Sequence, residues 1–274
     1  MALETILITG ASTGIGAAAA RVMKDRGWRV FATARQPEDL ARLKALGVDA
    51  IALELGEPNS VAACAETVLE KTNGTIDAVF NNAAYGVAGA LEDVERSVLA
   101  DQFNVNVIGT HDLTQRLIPA MRARGRGRIV NCSSVLGLVV GPYRGAYCAS
   151  KFALEALSDA MRMELKGSGI DVVIIEPGPI RTNFVNRTLE VAKATLPLDT
   201  SVHRERYASM IQSFESGGKQ RWKLEPEAVV GKLIHAVESA RPKTRYYVTV
   251  PTYAAASLKR VLPDRMLDWF ASRN

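Results

Sequence analysis

The sequence predicts a doubly wound α/β fold: an open parallel sheet in three layers, with helices on both faces. Three observations carry that expectation. Short β-branched runs alternate with helix-length amphipathic segments from one end to the other; the runs are nearly continuous in Val, Ile and Ala, as strands buried on both faces require; and a Gly-rich turn joins the first run directly to an Ala-rich helix. In chain order, strands are expected at residues 5–9, 29–34, 50–54, 78–81, 128–132, 171–175 and 246–250, with helices at 14–26, 38–46, 60–71, 97–124, 146–166 and 227–239. One region breaks the alternation. Residues 183–224 carry Phe184, Leu196, Tyr207, Phe214 and Trp222 without a strand signal, and are expected to form a helical lid between strands six and seven or a helical pair that thickens the outer layer.

Length and composition set the outer bounds. A chain of 274 residues with no Pro-, Ser- or charge-rich linker is read as one domain spanning 1–274. Lys and Arg total 34 against 29 acidic residues, so the net charge is +5, which suits a phosphate-bearing small ligand as well as a polymer. The densest basic run, Arg122 to Arg128, reads as a helix end followed by a Gly turn into a strand, since no aromatic residues interleave it; no nucleic-acid partner is expected. The 3 cysteines show no CxxC spacing, so they read as buried thiols of a reducing compartment, and no metal site is expected. No signal-peptide pattern opens the chain and no apolar run reaches the roughly 18 residues of a membrane span, so a cytoplasmic protein without a transmembrane segment is expected.

The turn Gly10-Ala11-Ser12-Thr13-Gly14-Ile15-Gly16 has GxxxGxG spacing. Glycines there permit a tight turn and close approach of the backbone to a pyrophosphate, while the following helix supplies N–H donors and the positive end of its dipole; the expected fold is therefore Rossmann-type. In such folds a carboxylate about 20 positions on holds the 2′-hydroxyl of NAD, and an Arg accommodates the 2′-phosphate of NADP. The second strand ends Thr33-Ala34-Arg35, so NADP(H) is preferred and NAD(H) stays possible, with Arg35 as a mere surface charge the alternative. Gly10 to Gly14 also spells the GxSxG elbow of α/β-hydrolases, with Ser12 as nucleophile. Its place at the first strand, and only His111, His203 and His235 to complete a triad, argue against that reading.

Tyr147 and Lys151 stand four positions apart, on one helix face, where a cation is expected to favour the phenolate and lower the phenol's pKa toward the working range of an acid/base catalyst. Ser134 lies upstream. As an ordered set, residues 9–16, Asn81-Asn82-Ala83-Ala84, Asn106, Ser134, Tyr147 with Lys151, and Pro177-Gly178 closely resemble the short-chain dehydrogenase/reductase family, from Thr9 to at least Thr182. The resemblance implies seven parallel strands and a catalytic tetrad: Tyr147 as proton donor or acceptor, Lys151 lowering its pKa and binding the nicotinamide ribose, Ser134 hydrogen-bonding the substrate oxygen, and Asn106 holding a water behind Lys151. The cofactor contacts it implies are Gly10, Ser12, Thr13, Gly14, Ile15, Gly16, Arg35, Glu54, Asn82, Ala83, Tyr147, Lys151, Pro177, Gly178, Ile180 and Thr182. Ala84, where the family usually has Gly, and Glu54, where an Asp commonly meets the adenine, depart from its pattern.

Substrate walls are expected from Val135, Leu136, Val139, Val140, Tyr143, Tyr85, Val87 and the lid. Being mostly apolar, they suit a hydrophobic alcohol, ketone or aldehyde. Segments 150–155, 175–178 and 262–265 look like the retinol and 17β-hydroxysteroid dehydrogenase branch. Pairing into a homodimer or homotetramer through the long helices is implied by the family, and the amphipathic end of the chain is expected to pack on its own domain or a partner subunit. A nucleotide-binding regulator of the same fold without turnover is the alternative from another class, opposed by the complete set Asn106, Ser134, Tyr147 and Lys151.

Overall fold

A computed structural model describes residues 4–216 and 222–272. The strands are β1 (Thr5–Ile8), β2 (Arg29–Ala34), β3 (Asp49–Ala52), β4 (Ala78–Asn81), β5 (Gly127–Cys132), β6 (Ile170–Glu176) and β7 (Arg245–Tyr247). They form a parallel sheet in the order β3-β2-β1-β4-β5-β6-β7. Because the order runs outward in both directions from β1 and β4, the crevice for a ligand lies beyond the carboxyl ends of those two strands.

The helices are α1 (Gly14–Asp25), α2 (Pro37–Ala45), α3 (Pro58–Lys71), α4 (Arg96–Phe103), α5 (Thr110–Arg124), α6 (Gly145–Glu164), α7 (Phe184–Thr195), α8 (Arg204–Glu215), α9 (Glu227–Glu238), α10 (Val250–Val261) and α11 (Asp264–Ser272). Successive strand residues point to opposite faces, and the two cores follow that period. Ile6, Ile8, Phe80 and Val130 join Met23 of α1 and Leu233 of α9 on one face. Leu7, Phe31, Val79 and Ile129 join Val61 of α3 and Leu113 and Leu117 of α5 on the other. Each of these large side chains is fully buried, worth about 1.5–3 kcal/mol of burial apiece.

Three expectations change. The single helix expected over 97–124 is interrupted: α4 ends at Phe103, a π-helical turn covers Asn104–Gly109, and α5 resumes at Thr110. Gly109 shows why the chain is pinned there, since a Cβ on it would stand 1.9 Å from the Leu55 carbonyl oxygen. The last strand is displaced to Arg245–Tyr247, because Val250 and Pro251 already form the first turn of α10, whose start a Pro favours. Three of the four arginines of the basic run are paired within the fold: Arg124 and Arg126 both reach Asp77 Oδ1, at 3.0 and 2.9 Å, and Arg128 pairs with Asp171. The helix end itself is as expected, closed by Gly125 at φ 63° with Arg126 N–H returning to the Met121 carbonyl.

Among the described residues no helix is long and apolar enough to cross a membrane. Cys64, Cys132 and Cys148 are free and buried.

Candidate active site

The Gly-rich turn leaves β1 under tight steric control. Gly10 and Gly14 hold φ of 66° and 57°, in the left-handed region that glycine occupies without strain. A Cβ on Gly16 would stand 2.2 Å from the Gly10 carbonyl oxygen and 2.7 Å from Asn82 Nδ2, so the helix enters with no room for a side chain. Thr33 anchors the turn from β2, its Oγ1 accepting from Gly10 N–H at 3.2 Å and its carbonyl from Ala11 N–H at 2.8 Å. Asn82 and Ala83 are drawn in by Thr9, whose Oγ1 accepts from both backbone N–H groups at 3.0 Å. The Asn82 amide in turn donates to the Thr9 and Gly10 carbonyls at 3.0 and 3.1 Å. The amide nitrogen of the side chain expected beneath the cofactor ribose is thus engaged in bracing the turn. Thr9, the first residue of the motif, performs the same bracing, a role that a Thr before a Gly does not disclose by pattern.

The mouth of α1 suits an anionic dinucleotide. Its first turn carries no acidic residue, and Thr13, at its N-cap, makes no side-chain hydrogen bond to the helix, so the dipole end faces outward uncompensated. Ser12 and Gly14 line one end of an open cleft of about 610 Å³ that runs between α1 and α2 to Arg181 and Thr182 and also carries Asp39, Glu225 and Glu227. Ile15 packs against the core beside Ala18 and Ala19. At the outer end of the crevice Arg35 and Glu54 form an exposed pair at 3.4 Å. The cradle that a Cβ on Gly16 would fill, with an open crevice beside it, fits a nicotinamide dinucleotide.

Tyr147 and Lys151 lie in the first turns of α6 and are buried. The Lys151 Nζ stands 5.8 Å from the Tyr147 ring centroid and donates to the Cys132 carbonyl at 2.8 Å. Ser134 extends β5 with φ −163°, its Oγ accepting from Leu136 N–H at 3.1 Å, and its hydroxyl lies near enough to the Tyr147 phenol to bear on its ionisation. Asn106 sits in the π-turn, a device frequent at functional sites. Its Nδ2 donates to the Tyr85 carbonyl at 2.9 Å and to Ser150 Oγ at 3.1 Å, and its Oδ1 accepts from Tyr85 N–H at 3.2 Å. Ser150 hands the chain on to the Tyr147 carbonyl at 2.8 Å. Ser150 had no sequence signal of its own, since its partner Asn106 lies 44 positions away.

The electrostatics of the phenol differ from the expectation. Burial above all pushes Tyr147 above its ordinary value, and the neighbouring Ser134 hydroxyl opposes the rise. Burial also pushes the Lys151 ammonium down. Spacing correctly put cation and phenol on one face; it took no account of the desolvation that both share.

Beyond β6 the Pro177 carbonyl accepts from Val135 N–H at 2.8 Å, linking this turn to the Ser134 segment. Gly178 sits where a Cβ would fall 2.0 Å from Thr249 Oγ1, so it serves the approach of α10. Ile180 makes an isolated bridge to Leu224, and Thr182 lies over Gly14, 3.0 Å from where a Cβ on it would stand. Immediately after, the Phe184 ring meets Tyr147 at 5.3 Å between centroids.

Residues 197–207 fasten to the loops after β4 and β5. His203 bridges the Tyr143 hydroxyl at 3.2 Å and Glu92 Oε1 at 2.6 Å. The buried Tyr207 hydroxyl donates to Asp93 and accepts from Ala90 N–H at 3.0 Å, and Ser201 also donates to Asp93, at 2.6 Å. Tyr143, expected as an open wall, is held in this latch at φ 59°, and Val87 is buried with its N–H on Gln102. His235 hydrogen-bonds the Tyr246 hydroxyl at 2.7 Å, so neither it nor His203 is directed at Ser12 as a hydrolase would need. Residues 217–221 of the expected lid lie outside the described residues.

The sequence model of the short chain dehydrogenase family matches residues 4–192. The chain is 44% identical to the uncharacterized oxidoreductase YbbO of Escherichia coli over 97% of this chain and 93% of that protein. It is 33% identical to human 17-beta-hydroxysteroid dehydrogenase type 1 over 91% of this chain and 78% of that protein. A Burkholderia phymatum short chain dehydrogenase/reductase solved in complex with NAD superposes with a TM-score of 0.77 at 26% identity, over 94% of this chain and 92% of that one.

Proposed function

The chain belongs to the short-chain dehydrogenase family of oxidoreductases, and from that premise we propose that it is an NADP(H)-dependent enzyme interconverting a hydrophobic alcohol and its ketone or aldehyde, with Tyr147 as the proton donor and acceptor. The observation that carries this reading is the meeting of a half-buried Ser134 with the buried Tyr147 and Lys151 at the carboxyl end of the sheet, on the side of the cradle at Gly10–Gly16.

The residues divide the work by their chemistry. Burial keeps the Tyr147 phenol protonated, the form that gives a proton to a carbonyl oxygen. Lys151, behind the ring, stabilises the phenolate that remains. Ser134 has its acceptor side occupied by Leu136 N–H and its O–H free to donate to the substrate oxygen as charge develops there. Asn106 and Ser150 fix the backbone of Tyr147, and the family pattern adds to Asn106 a water behind Lys151. When bound, the nicotinamide supplies hydride to the substrate carbon or takes it up. Gly10, Ser12, Thr13, Gly14, Ile15 and Gly16 would receive the pyrophosphate, Asn82, Ala83 and Lys151 the ribose side, and Pro177, Gly178, Ile180 and Thr182 the nicotinamide.

Arg35, at the tip of β2 with no carboxylate in its place, supports NADP(H). Apolar walls and a relative whose name specifies a hydroxysteroid support a lipophilic substrate. Phe184 against Tyr147, and the Tyr207 and His203 latch, support residues 183–224 acting as the lid of a single domain. Exposed Leu99, Ile108, Leu157 and Met163 on α4 to α6 support pairing into a homodimer or homotetramer, and three buried free thiols support a cytoplasmic setting. The test is NADPH oxidation and NADP reduction over a panel of hydrophobic carbonyls and alcohols, with Tyr147→Phe alongside. Turnover confined to the wild type is expected; turnover surviving in the Phe variant refutes the mechanism, and no turnover with any substrate favours a nucleotide-binding regulator.

A further inference from the structure

Beneath the site the protein buries a carboxyl that no cation pairs closely. Glu176, the last residue of β6, has no exposed surface, and neither of its carboxyl oxygens has a hydrogen-bond partner among the described residues. Glu155, one turn beyond Lys151 on α6, is buried as well, with its Oε1 also unpartnered. Two guanidiniums serve the group, and only one of them reaches Glu176, since Arg162 is taken up by Asp159 at 2.5 Å. Arg245 of β7 places Nη1 2.7 Å from Glu155 Oε2 and Nη2 2.6 Å from Asp159 Oδ2, and stands 3.6 Å from Glu176 Oε1. With its short contacts committed to Glu155 and Asp159, Arg245 leaves Glu176 as the carboxyl that must stay neutral. An ionised carboxylate at that depth would be both desolvated and repelled.

The groups that face Glu176 are few and come from three elements. From α6 they are Glu155 and Asp159, with Lys151 acting on Glu155; from β7, Arg245 and Tyr247; from α10, Arg260. Burial, and Glu155 after it, push the Glu176 carboxyl up to about 8.

Its position gives the proton a consequence. Ser133 N–H donates to the Ile175 carbonyl at 2.8 Å and Val135 N–H to the Pro177 carbonyl at 2.8 Å, so the backbone on both sides of Ser134 is tied to the backbone on both sides of Glu176. We propose that Glu176 is a positioning residue: as a neutral acid it lets the end of β6 close on Glu155 of α6, and its ionisation drives the two apart, pulling through the backbone ties to β5 and displacing Ser134 and the turn at Pro177. The inference rests on the hydride-transfer reading only where it concerns turnover.

The test pairs the wild type with Glu176→Gln, which keeps the shape and removes the titration. A carboxyl that is harder to ionise when folded costs nothing at low pH, where it is protonated in both states. The cost accrues as pH rises through the unfolded value toward the folded one and is complete above that. The Gln variant is therefore expected to melt with the wild type at pH 5 and to hold its Tm at pH 9, where the wild type falls roughly 5 °C or more below it. In turnover, kcat/KM of the wild type should fall about tenfold more than that of the Gln variant between pH 7 and pH 9, as one group titrating near 8 requires. A Tm difference that does not change with pH overturns the proposal, and so does a divergence in Tm with identical pH–rate profiles. If no turnover is found at any pH while the Tm curves diverge, the hydride-transfer reading fails and the strand-end switch stands. Should the Gln variant not fold, Glu155→Gln replaces it: removing the repelling carboxylate should shrink the alkaline loss of Tm, and an unchanged loss overturns the proposal.

Discussion

Gly16→Ala puts the cradle to a quantitative test. The added Cβ would stand 2.2 Å from the Gly10 carbonyl oxygen, 2.8 Å from the Gly10 carbonyl carbon and 2.7 Å from Asn82 Nδ2. Two of these are backbone atoms that cannot rotate aside, so α1 must shift relative to β1. Such overpacking costs about 1–3 kcal/mol. Moving the Asn82 amide also loosens its hydrogen bonds to the Thr9 and Gly10 carbonyls, each worth roughly 0.5–1.5 kcal/mol. The expected loss is therefore about 2–6 kcal/mol, a Tm lowered by at least roughly 5 °C at the sensitivity of a chain this size. Nucleotide binding should fall further than stability, because the same shift misaligns the N–H groups at the mouth of α1. Denaturant melts and a fluorescence titration with NADPH measure the two effects. Gly231→Ala is the control: it lies within α9 with nothing within 4 Å of its added Cβ, so it should leave binding unchanged and stabilise the helix by up to about 1 kcal/mol. If Gly16→Ala melts within about 1 °C of the wild type and binds NADPH within about twofold, the cradle is not what its geometry implies.

Two further substitutions probe the outer end of the crevice and the latch. Arg35→Asp replaces the exposed guanidinium with the carboxylate that favours a free 2′-hydroxyl, and should move the ratio of kcat/KM for NADP(H) over NAD(H) by at least about tenfold, near 1.4 kcal/mol; an unchanged ratio in paired titrations shows that Arg35 is only a surface charge. Tyr207→Phe removes the buried hydroxyl joining Asp93 to Ala90 N–H, and should cost about 1–3 kcal/mol in denaturant melts while raising KM more than it lowers kcat; wild-type stability and KM would dismiss the latch.

How far the sequence is legible depends on the range of the forces involved. The strands at 29–34 and 78–81 are read to the residue, because burial on both faces imposes a continuous apolar run. The break at Asn104–Gly109 is not, since one extra residue in a helical turn leaves the apolar spacing on either side intact, and its cause, the Leu55 carbonyl, lies on another element. The Tyr147 and Lys151 face is likewise local and legible. Their mutual desolvation is not, because it depends on everything packed around them. The latch is the extreme case: Tyr207 meets Asp93 across 114 positions and His203 meets Glu92 across 111, with no short-range pattern linking them.

The three cysteines acquire a use from where they lie. Cys64 is in α3, Cys132 closes β5, and Cys148 follows Tyr147 in α6, so they sample the far core, the sheet centre and the reaction chamber. Burial pushes the Cys64 thiol up to about 12 and Cys132 up to about 11, and raises Cys148 as well, so none is a thiolate at neutral pH while its surroundings stay closed. A thiol reagent then reacts only as fast as each neighbourhood opens. The unaltered chain thus carries three clocks for local unfolding, one of them set beside the phenol.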